Sequence, residues 1–179
     1  MSKIVAKFEK VSFDEFASKA GVPELVTDVT NLREEYDNLQ LPKRSTKQSA
    51  GYDFFAPMNV MVPAKSAVVI PTGIKCKIDE GFVLKLYPRS SYGFKYLARL
   101  ANTVGIIDGD YYNNPDNEGH IMVKIFNPKD KPFYISEGTK FVQGLFSEFF
   151  LAEEDEVTAT RTGGLGSTDK ENAGENANE

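Results

Sequence analysis

An aspartate that closes an aliphatic run and is followed by glycine and aromatic rings could do chemistry. The stretch Asn102-Thr-Val-Gly-Ile-Ile-Asp-Gly-Asp-Tyr-Tyr112 has this form. Val104, Ile106 and Ile107 read as buried strand, while Gly105 and Gly109 permit backbone conformations or close approaches that a side chain would block. Asp108 then has two readings. It is a turn residue accepting backbone N–H bonds, as the Asp-Gly hairpin signal suggests, or an acid/base group set against an apolar wall. Tyr111 could lay its ring beside a ligand or pack at the rim. A second stretch, Arg161-Thr-Gly-Gly-Leu-Gly-Ser-Thr168, suits an anion. Its glycines free backbone N–H groups, Arg161 offers a planar fork of donors, and Ser167 and Thr168 add hydroxyls. It is not a Walker loop, since Gly-Lys-Ser/Thr is missing, and a glycine-rich tail can equally be a linker.

Those residues need a scaffold. The chain has 179 residues, 41% of them hydrophobic, enough for one sizeable core and short for two. Lys3 to Val11 alternates like a first strand. Ser12-Phe-Asp-Glu15 has capping-box spacing, with Phe13, Phe16 and Ala17 on one helical face, and a second helical pattern starts at Pro23 and runs through Leu25, Val29, Leu32, Tyr36 and Leu39. A helical insert over about 12–40 follows, readable as a lid, a brace or a partner-binding module. From Leu41 the period becomes two. Tyr52–Ala56, Val60–Val62, Val68–Ile70, Ile74–Ile78, Phe82–Tyr87, His120–Phe126 and Phe141–Phe150 are expected as short strands, with Asp79-Glu-Gly81 closing an antiparallel hairpin. The expected class is all-β, a sandwich or jelly-roll-like barrel. The domain spans 1–151, and 152–179 is a flexible tail: residues 153–179 hold eight acids, two bases and no aromatic ring, too little to bury a core.

Composition narrows the function classes. A net charge of -5 argues against nonspecific nucleic-acid binding, which draws on clustered Lys and Arg. The single cysteine, Cys76, allows no internal disulfide and reads as a core residue, and with His120 the only histidine a Cys/His zinc site is disfavoured. No signal segment and no apolar run long enough to span a bilayer is apparent, so a cytoplasmic protein without membrane contact is expected.

Ala50-Gly-Tyr-Asp53, Pro88-Arg-Ser-Ser-Tyr-Gly93, Asn102 to Tyr111, Gly138-Thr-Lys-Phe-Val-Gln143 and Arg161 to Thr168 occur in the order of the five motifs of the trimeric dUTPase family. The chain resembles that family over roughly 41–168, together with the first strand. The resemblance implies a jelly-roll homotrimer with three sites at subunit contacts, hydrolysing dUTP to dUMP and pyrophosphate by attack of water on the α-phosphorus, with Mg2+ on the triphosphate. It makes Asp108 the catalytic aspartate that activates water as general base, and Tyr111 the ring against the deoxyribose that leaves no room for a 2′-hydroxyl. Asn102 and backbone near Gly105 would read uracil. Arg89, Ser90 and Gln143 would hold the phosphate chain, with Ser91 a further donor, and Asp53 would approach the metal through water. Arg161, Gly164, Ser167 and Thr168 would close over the nucleotide.

Four features depart from the family pattern. Leu165 stands where the family usually has a Phe that stacks on uracil, which makes Phe94 a candidate ring in its place, with Tyr92 and Tyr96 nearby. Lys140 replaces an Arg, keeping charge and losing the fork. Residues 112–117 are inserted after Tyr111, and the insert over 12–40 is unusual. Two rivals carry different chemistry. A dCTP deaminase would need a catalytic Glu and an Arg where Lys124 and Phe94 stand, and a nucleotide-responsive regulatory module would bind a protein partner through the 12–40 insert.

Overall fold

Each strand must turn one face to the core, and alternating apolar and polar residues supply that face through most of the chain. The computed structural model describes residues 3–20, 32–155, 157, 161 and 163. Its largest sheet sets β2 (Lys43–Arg44), β3 (Tyr52–Phe55), β12 (Lys140–Glu148), β7 (Phe82–Pro88) and β9 (Gly105–Ile107) side by side in that order. A three-stranded sheet runs β5 (Ala67–Pro71), β10 (Met122–Phe126), β8 (Arg99–Leu100). Two ribbons pair β1 (Ala6–Lys10) with β6 (Ile74–Ile78) and β4 (Val60–Val62) with β11 (Phe133–Ile135). All these pairings are antiparallel, the jelly-roll-like, β-rich arrangement that the alternation predicts.

The sheets close over one core that includes Phe54, Ile70, Leu84, Leu86, Ile125 and Phe141. β12 crosses its centre between β3 and β7, and Gly144 makes the crossing possible. A Cβ there would stand 2.8 Å from Leu84 Cδ1 and 3.0 Å from Phe54 Cε2. Cys76 is buried in the same core, and burial pushes its thiol up to about 12, so it packs as a small neutral group.

The insert docks on this body. α1 (Phe13–Ala20) starts at Ser12, whose Oγ accepts the Glu15 N–H at 3.2 Å, as the capping-box spacing predicts. The reciprocal bond comes from elsewhere: the Ser12 N–H donates to Glu118 Oε2 at 3.0 Å, and Glu15 turns to His120. Phe16 and Ala20 are fully buried. α2 (Leu32–Asp37) holds Tyr36 edge-on to Phe13, and the Tyr36 hydroxyl donates to the Val11 carbonyl at 2.7 Å. The start of the second helical pattern, at Pro23, lies outside the described residues. Among the described residues no helix is long and apolar enough to cross a membrane.

Several local expectations are corrected. Asp79–Gly81 does not close a hairpin: β6 pairs with β1 and β7 with β12 and β9, so the turn carries the chain from a ribbon to the large sheet. The strand expected from His120 begins at Met122, because the His120 N–H bonds instead to the loop carbonyl of Asn117 and the Ile121 N–H to the carbonyl of Ile74 at the start of β6. Ile106, read as buried, is 52% exposed, since β9 is an edge strand with only its Gly105 and Ile107 face on the core. β8, β11 and the helix α3 (Ser90–Tyr96) come from segments given no element.

Candidate active site

Asp108 leaves the end of β9 and caps a 3-10 turn over Gly109–Tyr111, whose first bond runs from the Tyr111 N–H to the Asp108 carbonyl at 3.2 Å. The Asp-Gly pair therefore opens a helical turn in place of a hairpin. This turn points the Asp108 carboxylate outward, and its side chain is 48% exposed instead of sheltered by the neighbouring isoleucines. Arg161 meets it from the tail. Its Nη2 donates to Asp108 Oδ2 at 2.9 Å, its Nε donates to Asp110 Oδ1 at 3.1 Å, and its Cζ lies 5.6 Å from the centroid of the Tyr111 ring. A carboxylate, a guanidinium and an aromatic face thus converge beside a cavity of about 740 Å3 that Asp108, Asp110 and Arg161 help to line.

Tyr111 is only 5% exposed and is held from behind. Its hydroxyl donates to the His120 carbonyl at 2.9 Å and accepts from Asn117 Nδ2 at 2.8 Å, and burial pushes its phenol pKa up. The inserted residues 112–117 do this work. Asn117 Oδ1 accepts from Asn114 Nδ2 at 2.8 Å and from the Gly119 N–H at 3.1 Å, while Asn114 Oδ1 accepts the N–H groups of Asp116 and Asn117. Gly119 passes so close behind, at φ +79°, that a Cβ would fall 2.5 Å from the Tyr111 carbonyl oxygen. His120 is fully buried, and its Nε2 accepts the Gly73 N–H at 2.8 Å, which leaves the proton on Nδ1, 3.0 Å from Glu15 Oε1. Burial pushes His120 down to about 4 and pushes Glu15 up.

A second polar cluster forms around Asp53 on β3, which is 2% exposed. Its carboxylate accepts from Arg89 Nη1, from Ser45 Oγ at 2.6 Å and from Lys140 Nζ at 3.1 Å. Burial pushes this acid up, but the three hydrogen bonds outweigh it and hold its pKa below the usual carboxylate range. Arg89 follows β7 directly, and Gln143 on β12 stands opposite both Asp53 and Tyr87. Ser90 and Ser91 open α3 beside Arg89. Of the three rings there, Tyr92 and Tyr96 pack toward Phe133, at 6.1 and 4.6 Å between centroids, and Phe94 is 89% exposed. Between the Asn102–Ile107 arm and Met122–Lys124 lies a cleft of about 250 Å3 that Asn102 and Gly105 help to line.

The chain does not bring these two clusters together. Ile107 pairs with Leu84, so Asp108 lies beside the start of β7, whereas Arg89 follows its far end. The six residue steps from Val83 to Arg89 put the clusters roughly 20 Å apart along the strand. Gly164, Leu165, Ser167 and Thr168 lie outside the described residues. Sequence reasoning missed Asp110, Ser45, Glu15, Asn114 and Asn117. An inserted loop carrying three asparagines and a proline was the available signal for the last two, since buried Asn side chains organise turns. The others act through tertiary pairs that spacing does not show.

Residues 37–169 match the family model described as dUTPase. A deoxyuridine 5'-triphosphate nucleotidohydrolase of Lactococcus lactis is 44% identical over 147 residues, covering 81% of this chain and 95% of that protein. The one from Haemophilus ducreyi is 37% identical over 139 residues, covering 73% and 88%. A crystal structure of dUTPase from Streptococcus mutans superposes with a TM-score of 0.60 at 43% identity, over 73% of this chain and 97% of that one. A mutant dUTPase from phage phi11 of Staphylococcus aureus, described with a structural Mg(II) ion, shares the fold at a TM-score of 0.57 and 23% identity, over 69% and 92%.

Proposed function

The chain belongs to the dUTPase family, and from that premise we propose that it hydrolyses dUTP to dUMP and pyrophosphate with Asp108 as the group that activates water. The observation that carries the reading is the convergence of Asp108, Tyr111 and Arg161. A carboxylate open to water can orient and deprotonate a nucleophile, and a guanidinium 2.9 Å away can hold the phosphate under attack. A triphosphate would compete with Asp108 and Asp110 for Arg161, so binding frees the base as it docks the phosphate. Tyr111 offers its ring to the sugar, and Asn102 with the Gly105 backbone reads the base from the adjoining cleft. A 2′-hydroxyl meets the buried, immobile ring as a clash.

Arg89, Ser90, Ser91 and Gln143 take the phosphate chain, with Arg89 held in place by Asp53. The distance from this cluster to Asp108 supports a site shared between copies: one copy supplies Asp108 and Tyr111, and another supplies Arg89 and Gln143. A closed homotrimer provides three such sites by symmetry. Gly164, Leu165, Ser167 and Thr168 complete the closure, and Phe94, exposed on α3, is the ring free to stack on the base in place of the family's Phe.

The family implies a magnesium ion. Asp53 does not fit a metal ligand in this chain, because it is buried and both its oxygens already accept from Arg89, Ser45 and Lys140. Among the described residues no group of three or more His, Cys, Asp or Glu converges either. The ion would then be held by the phosphate oxygens of the substrate, whose charge it would offset. The described part of the 12–40 insert spends Phe16 and Ala20 on the core, which favours a brace.

The test is pyrophosphate release, with magnesium, from dUTP, dCTP, dTTP and UTP side by side, using the full chain and a truncation after Leu151. Release from dUTP alone, lost on truncation, is the expected result. Release from dCTP, or equal rates with all four, would overturn it.

A further inference from the structure

The inserted loop has a consequence for which sugar the site accepts. Tyr111 can refuse a 2′-hydroxyl only if its ring stays where it is, since an aromatic side chain retains two rotatable bonds and a small tilt would admit one oxygen. Three things could fix the ring. Core packing on its buried face is one, and the hydroxyl's donation to the His120 carbonyl is another. The third is the Asn117 amide, which donates from Nδ2 to the hydroxyl at 2.8 Å. This amide has no freedom of its own. Its oxygen accepts from Asn114 Nδ2 and from the Gly119 N–H, so its orientation is dictated from the far side. Asn114 is pinned in turn by two backbone N–H groups and donates to the Tyr111 carbonyl at 2.8 Å, which closes the circuit on the residue it supports. With Asn114 and Asn117 5% and 8% exposed, water competes little for these bonds.

We propose that Asn117 is a positioning residue for sugar selection, fixing the Tyr111 ring through its hydroxyl so that deoxyribose fits and ribose does not. The inference rests on the reading of Tyr111 as the ring that faces the sugar. Asn117 does not touch the nucleotide. It acts through one hydrogen bond, and residues 112–117 are the device that holds it.

The experiment compares kcat/KM for dUTP and UTP in wild type, Asn117→Ala, Asn117→Asp, Tyr111→Phe and the double variant Tyr111→Phe with Asn117→Ala. Asn117→Ala is expected to lower the dUTP-to-UTP ratio roughly tenfold, the low end of what one steric group discriminates, mainly by admitting UTP, with kcat for dUTP little changed. Tyr111→Phe, which keeps the ring and removes the bonded oxygen, should lower the ratio as well. In that background Asn117→Ala should add nothing, because its only route to the substrate is already gone. The isosteric Asn117→Asp keeps the loop's shape, replaces the donor by an acceptor and should also relax the ratio. Lys75→Ala is the structural control. Lys75 tethers the same loop through Asn113 at 2.8 Å and Glu118 at 3.2 Å without touching Tyr111, so its loss should lower Tm and leave the ratio alone.

An unchanged ratio in both Asn117 variants, or an equal drop from Asn117→Ala with and without the Tyr111 hydroxyl, would overturn the inference while leaving the sugar-facing reading of Tyr111 intact. Equal rates for dUTP and UTP in wild type, or full selectivity in Tyr111→Ala, would overturn that reading and the inference with it.

Discussion

Asp108 and Asp53 are both acids held by arginine, yet their surroundings assign them opposite work. Asp108 is half exposed on a turn, where a carboxylate can meet water and pass on a proton. Replacing it by Asn keeps size and shape and removes the base, so turnover should fall about 10²- to 10⁴-fold while dUTP still binds; single-turnover kinetics beside calorimetric titration would separate the two. Normal turnover would remove Asp108 from the chemistry. Asp53 is buried beneath Arg89 and Lys140, and Asp53→Asn would strand two cations over an uncharged amide. Because those cations are themselves 30% and 36% exposed, the loss should be smaller than for a fully buried pair, about 1–3 kcal/mol, which urea denaturation would register, and KM should rise with it as Arg89 loses its orientation. A stable variant with raised KM would make Asp53 a purely functional anchor. Asp108, Tyr111, Arg89 and Arg161 stand out in the sequence as candidates because motif order marks them. Their partners Asp110, Ser45 and Asn117 were not, because a side-chain hydrogen bond across the fold leaves no period or spacing behind.

Elements were legible where burial is one-sided. β6 shows its alternation plainly, with Ile74, Cys76 and Ile78 inward and Lys75 and Lys77 outward. Its partner was not legible, since Asp79-Glu-Gly81 suits a hairpin and a crossover between sheets equally well. β8 and β11, at two and three residues, are too short to display a period. α1 was visible from its cap and its apolar face, but its seat was not: Glu15 reaches His120, and Ser12 reaches Glu118. That seat gives the element a pH dependence. His120 ordinarily titrates near 6.5 and is held near 4 in the fold, so below about 6.5 the unfolded chain takes up a proton that the folded chain refuses. Stability is complete above that value and falls as pH drops toward 4, by up to about 3 kcal/mol from this group. Glu15, pushed up by burial, works in the opposite direction over its own range. His120→Gln retains an acceptor for Gly73 and a donor for Glu15, and should flatten the stability profile between these pH values by one proton in a urea series. An unaltered slope would mean that the imidazole is already protonated in the fold. Phe16→Ala should cost about 3–5 kcal/mol, since the ring is fully enclosed, and a thermal melt would show α1 to be part of the body.

At the scale of the whole molecule the separation along β7 decides how the chain can work. Asp108 sits beside one end of that strand and Arg89 beyond the other, roughly 20 Å away by strand rise. A nucleoside triphosphate drawn to both cannot be served by one chain, and no rearrangement inside a hydrogen-bonded sheet shortens the gap without breaking β12 from β7. On the proposed reading, in which one nucleotide needs both clusters, assembly is a catalytic requirement. If each site takes Asp108 from one copy and Arg89 from another, two dead variants should rescue each other. Asp108→Asn chains still provide Arg89, and Arg89→Ala chains still provide Asp108. In a one-to-one mixture exchanged at random, half of the sites have a working Asp108 and half of those meet a working Arg89, so about a quarter of the sites become active. The mixed sample should regain roughly that share of wild-type pyrophosphate release, with the unmixed variants as baselines and size-exclusion chromatography with light scattering reporting the assembly. Activity that stays at the baseline after proven subunit exchange would place both residues in sites of a single chain, and the distance along β7 would then require a large opening of the sheet.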